Sequence, residues 1–77
     1  MNLSIPYRLK HEHPGERAGV TVWEVFHGED NVGTLYRFES VYGDVCWTTY
    51  ARWGRQASKT NCHRRIEALA ALYLLNQ

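Results

Sequence analysis

Apolar and polar residues follow two rhythms along this chain, alternating as far as Trp53 and recurring every three to four positions from Ser58 onward. The first rhythm belongs to half-buried strands and the second to an amphipathic helix. Leu3, Ile5, Tyr7 and Leu9 alternate with Ser4, Pro6, Arg8 and Lys10, which predicts an N-terminal strand, and Pro6, lacking an amide hydrogen, places it at a sheet edge. His11 to Ala18, containing the Pro14-Gly15 pair, reads as an exposed loop. Val20 to His27 is rich in β-branched and aromatic residues and predicts a second strand, with turn chemistry after it in Gly28, Glu29, Asp30, Asn31 and Gly33. Thr34 to Tyr42 and Val45 to Trp53 predict two further strands joined by Gly43 and Asp44, the glycine suiting a two-residue type II′ turn.

Such a turn implies a register in which Tyr42 faces Val45, Ser40 faces Trp47, Phe38 faces Thr49 and Tyr36 faces Ala51. Directly opposed residues share a face. One surface then holds Tyr36, Phe38, Val45 and Trp47, and the other a wet mixture of Leu35, Arg37, Glu39, Thr48, Tyr50 and Arg52.

Gly54 to Ala57 reads as a connector into a helix over Ser58–Gln77, with Ser58 or Thr60 as its N-cap. Cys62, Ile66, Leu69, Ala70 and Tyr73 form one apolar stripe, expected to cover the hairpin face with Tyr36 and Phe38. Leu72 and Leu75 fall on another side with Ala68 and Ala71. The predicted architecture is α+β: three to four antiparallel strands and a C-terminal helix packed on one face, in a single domain spanning residues 1–77. Leu72, Leu74 and Leu75 then either tuck under the N-terminal strand or form the interface of a homodimer.

Composition changes this picture little. Hydrophobic content of 44%, aromatic content of 13% and a formal charge of +1 over 77 residues describe a folded chain and exclude a disordered polyelectrolyte. No run approaches the roughly 20 apolar residues of a membrane span, and no secretory n- and h-region opens the chain, so a cytoplasmic protein with no membrane partner is expected. Cys46 and Cys62 are then reduced thiols, with a stabilising disulfide as the alternative.

Charge distribution says more than net charge. No acidic residue lies between Asp44 and Glu67, an interval holding Arg52, Arg55, Lys59, Arg64 and Arg65 with His63 beside them. His11 to Asp30 instead carries Glu12, Glu16, Glu24, Glu29 and Asp30 against Arg17 alone. A basic end and an acidic end follow, with ordinary solvated charge as the plainer alternative.

Enzyme chemistry finds no pattern here. His11, His13, His27, Cys46, Cys62 and His63 lack the doubly paired spacing of zinc ligands, and adjacent Cys62 and His63 point about 100° apart on a helix. No serine or cysteine sits in a glycine elbow, and no phosphate loop is present. The expectation is a non-enzymatic protein with no cofactor, no metal, no catalytic residue and no small-molecule substrate.

Nucleic acid fits better. A helix start near Lys59, Arg64 and Arg65 attracts phosphate, while Arg37, Tyr50 and Arg52 on the wet sheet face could touch a backbone or stack on a base. Cross-strand arginine-aromatic pairs also serve as plain sheet stabilisation.

A connector followed by Ser58, Lys59 and a helix carrying Leu69, Ala70 and Leu74 resembles the last segment of double-stranded RNA-binding domains, a resemblance that implies phosphate contacts from the helix start. That family's first helix is replaced here by the segment with Pro6, and its second lysine position by Thr60. The strand-strand-strand-helix order also resembles the arm-binding domains of phage integrases, which implies groove contacts from Arg37, Tyr50 and Arg52. The functional expectation is a small nucleic-acid-associated domain, phage- or mobile-element-like, that binds duplex DNA or RNA through Lys59, Arg64, Arg65, Arg55, Arg52, Arg37 and Tyr50. Its rival is an adaptor or inhibitor that binds a protein partner through Leu72, Leu74 and Leu75 and the acidic region.

Overall fold

A computed structural model describes residues 5–58 and 62–77. Among them four strands, β1 (Tyr7–Pro14), β2 (Val20–His27), β3 (Asp30–Glu39) and β4 (Val45–Ala51), form one antiparallel sheet in the order β1-β2-β3-β4. One helix, α1 (Arg65–Leu75), lies across a single face of that sheet, giving the two-layer α+β sandwich that the pattern predicts.

Three details of the predicted elements change. Strand β1 starts after Pro6 and continues through Pro14, where a loop from His11 is expected. A bulge makes this continuation feasible: His11 and Glu12 together oppose Trp23, with pairing restored at His13↔Val22, and His11 takes the extra turn at a φ of 59°.

The hairpin between β3 and β4 closes on three residues rather than two. Ser40 N donates to Asp44 O at 2.9 Å, Gly43 N donates to Ser40 O at 3.0 Å, and Gly43 adopts a φ of 86°. Ser40 Oγ also accepts from the amides of Tyr42 and Asp44. This serine-organised loop ends β3 at Glu39 and opposes Glu39 to Val45, Arg37 to Trp47 and Leu35 to Thr49. The register is thus displaced by an odd number of positions from the predicted one, which sets Tyr36 and Phe38 on the same face as Cys46, Thr48 and Tyr50 rather than with Val45 and Trp47. The two-residue turn occurs one hairpin earlier, at Gly28 and Glu29 between paired His27 and Asp30.

Helix α1 begins at Arg65 instead of Ser58. Residues 55–58 and Cys62 run back along the free edge of β4: Ala51 N donates to Arg55 O, Ala57 N to Thr49 O, and Trp47 N to Cys62 O at 2.7 Å. Ser58 is buried, and its Oγ accepts from Thr49 N at 2.9 Å, so it caps a sheet edge rather than a helix. The alternative cap, Thr60, lies outside the described residues. Covering β4 in this way hides backbone groups that would otherwise template pairing with another chain.

The core sits between α1 and the face carrying Val25, Leu35 and Ala51, closed by Ala68, Leu69 and Leu72. Small residues let the helix approach. A Cβ on Gly33 would lie 2.3 Å from Tyr50 O and 3.0 Å from Leu72 Cδ2. The predicted stripe is therefore rotated: Leu69 faces the sheet as expected, Ile66 is 42% exposed, and Leu72 is fully buried. Leu75 packs against the same core and Leu74 is 71% exposed. Leu72 is thereby removed from any surface, and the three leucines form no common exposed patch. Asn76 Nδ2 fixes the end of the helix by donating to Tyr7 Oη and Val32 O.

Candidate nucleic-acid interface

The observed register sorts the side chains into two sets of cross-strand rows. Leu9, Val25, Gly33 and Ala51 form one row beneath the helix, with Trp23, Leu35 and Thr49 in the next. The opposite face, which no helix covers, carries Lys10, Glu24, Thr34 and Tyr50, then His13, Val22, Tyr36 and Thr48, then Val20, Phe38 and Cys46.

Aromatic rings dominate this helix-free face. Tyr36 and Phe38 stack with their centroids 6.0 Å apart at an interplanar angle of 15°. Tyr50 meets Tyr36 edge-on at 5.5 Å. Tyr36 lies in the same row as Val22 and Thr48, both of which are buried on this face. Phe38, at the end of the stack, remains 39% exposed.

Cations frame the rings. Lys10 Nζ stands 4.8 Å from the centroid of Phe26, which adjoins Glu24 on β2, and Arg8 opposes Phe26 across the strands. His11 packs edge-on against Phe26, and its Nδ1 lies 2.5 Å from Glu24 Oε2. That contact engages Glu24, which opposes Lys10 across the strands, while Arg8 and Lys10 are both exposed.

Two grooves flank Phe38. The larger, about 440 Å³, runs under the β1–β2 loop and is lined by His13, Pro14, Gly15, Glu16, Arg17, Val20, Val22, Tyr36 and Phe38. The smaller, about 280 Å³, lies on the hairpin side of Phe38 and is lined by Arg17, Ala18, Gly19, Val20, Glu39, Ser40, Asp44 and Cys46. Both owe their walls to the docking of the β1–β2 loop against β3. Gly19 O accepts from Glu39 N at 2.8 Å, and a Cβ on Gly19, whose φ is 82°, would sit 2.5 Å from Glu39 O.

The residues expected from the sequence to contact nucleic acid are dispersed. Tyr50 stands on the helix-free face, but Arg37 lies on the other, 5.9 Å from the Trp47 ring and 3.4 Å from Glu39 Oε2. Arg52 and Arg55 are exposed where β4 ends. Arg64 and Arg65 are exposed at the start of α1, near the Cys62–Trp47 bridge and thus roughly 13 Å along β4 from Ala51. Arg64 occupies the N-cap position without a side-chain cap. Lys59 lies outside the described residues, so the basic interval makes no single surface among those described.

Tyr36 and Phe38 were hidden from sequence reasoning because the two-residue turn puts them beneath the helix. The signal that exposes them is Ser40, whose hydroxyl organises the longer loop. Cys46 and Cys62 are unbridged, with Cys46 on the helix-free face and Cys62 packed against the core. Among the described residues no three His, Cys, Asp or Glu side chains converge on a metal-sized site. None of the described helices is long and apolar enough to cross a membrane. No protein-family model, no curated protein and no solved structure matches this chain.

Proposed function

We propose that this protein is a non-enzymatic nucleic-acid-binding domain that receives an unpaired strand on the helix-free face of its sheet. The observation that carries this reading is the stack of Tyr36 on Phe38, with Tyr50 edge-on beside it, on a face that no helix or strand covers among the described residues. Ring faces accept nucleobases of any identity, and outward cations hold the phosphates between them. Arg8 and Lys10 flank the rings on one side and Arg17 on the other, so the charges bracket the aromatic row. A flat sheet of stacked rings cannot lie against bases still paired within a duplex, which favours single strands or loops over the duplex expected from the sequence.

Anisotropy of a short fluorescein-labelled single strand tests the reading, with DNA and RNA versions and the matching duplex run in parallel. Binding is expected to favour the single strand and to weaken steeply as salt is raised. Phe38→Ala should weaken it roughly 5- to 150-fold, corresponding to about 1–3 kcal/mol for one lost base stack. Equal affinity for duplex and single strand, or a Phe38→Ala variant that binds as well as the wild type, would overturn it.

A further inference from the structure

The two grooves share three walls, Arg17, Val20 and Phe38, so they are halves of one feature divided by the Phe38 ring. Resting on the single-strand reading above, we infer that this divided groove holds two consecutive nucleotides and that its smaller half selects guanine through Asp44. Phe38 supplies a stacking wall to both halves, and Arg17, which lines both, is placed to meet the phosphate linking the two nucleotides.

Selection follows from what the smaller half presents. Its polar residues are Arg17, Glu39, Ser40 and Asp44; Glu39, opposite Val45, belongs to the rows of the other face, and Ser40 Oγ is already engaged by two backbone amides. Glu39 is engaged by Arg37. The Ser40 N to Asp44 O bond continues the β3–β4 register, which puts Asp44 on the helix-free side with Phe38 and Cys46, where it lines the smaller groove and carries no ion pair among the described residues. A carboxylate offers two acceptors side by side. Guanine alone among the four bases offers two donors side by side on its pairing edge, the ring N1–H and the exocyclic N2–H. Thymine and uracil present one donor between two carbonyl oxygens, which the carboxylate would repel. Adenine and cytosine offer one amino group beside a ring acceptor, so each forms half of the guanine contact.

The test compares oligothymidylate strands carrying one central guanosine, one central inosine, or none. Inosine retains N1–H and lacks the N2 amino group. Wild-type protein is expected to bind the guanosine strand about tenfold or more tighter than oligothymidylate, within the range of one good bidentate base contact, with inosine between them. Asp44→Asn keeps the loop, whose hydrogen bonds use Ser40 and the backbone of Asp44, and should bring the three affinities within about twofold of one another. An unchanged circular dichroism spectrum verifies that variant. If wild-type protein binds all three strands equally, or if Asp44→Asn leaves the guanosine preference intact, guanine selection is wrong while single-strand binding stands. If wild-type protein binds none of the three, both readings fall together.

Discussion

Thr49 shows how one side chain ties the two layers together. It is fully buried on the helix side of β4, and its Oγ1 donates to Ala68 O at 2.8 Å while its amide donates to Ser58 Oγ. Thr49→Val keeps the shape but deletes the first bond, and the measured loss on denaturant unfolding should be about 1 kcal/mol. Leucines at the helix end divide sharply. Leu72→Ala opens a cavity over Gly33 and should cost about 2–5 kcal/mol, whereas Leu74→Ala, at an exposed position, should stay within about 0.5 kcal/mol of the wild type. Unfolding curves for the pair check this; comparable losses would place the helix in a different rotation. Sequence periodicity finds Leu69 but not Leu72, because apolar residues surround this short helix on several sides and choose no single face. Gly33 decides the rotation, since its missing side chain makes room for Leu72. In the sequence it reads as one more turn glycine.

Strands and helix were legible to different depths. Strand β2 stands where the pattern places it, from Val20 to His27, because β-branched and aromatic residues fill most of it, with Glu24 the one acidic position. The β3–β4 hairpin was legible as a hairpin but not in register, because Gly43-Asp44 satisfies the rule for a short turn as well as the end of a longer one. The choice is made by Ser40, three residues before the glycine. The segment after β4 was least legible. Ser58 has the chemistry of an N-cap, yet the free edge of β4 competes for that hydroxyl, and burial against Thr49 wins. Ser58→Ala should therefore leave the Thr49 amide buried and unpaired, lowering stability by about 1–3 kcal/mol and speeding hydrogen exchange at that amide. If helical content falls while Thr49 exchange is unaltered, Ser58 acts as a helix cap after all.

Among the described residues, one face of the sheet is closed by α1 and the other carries no helix and is lined by aromatic rings and the β1–β2 loop. Fold class was accessible from the alternation of the chain because any sheet with one buried face needs a covering layer, and the C-terminal segment is the one helical pattern available. The proposed binding face was not accessible, since a displacement of the hairpin register decides whether Tyr36 and Phe38 meet the helix or the solvent. Charge alone points elsewhere, toward Arg52, Arg55, Arg64 and Arg65, which the fold distributes to separate ends of β4. The aromatic face and the helix start are thus rival sites for the proposed ligand. Amide and aromatic NMR spectra recorded while a short guanosine-containing single strand is added distinguish them most directly. Shifts are predicted at Val20, Val22, Tyr36, Phe38 and Tyr50, with Arg64 to Leu69 unmoved. Shifts confined to the helix start, with the Tyr36 and Phe38 rings unperturbed, would contradict binding on the helix-free face.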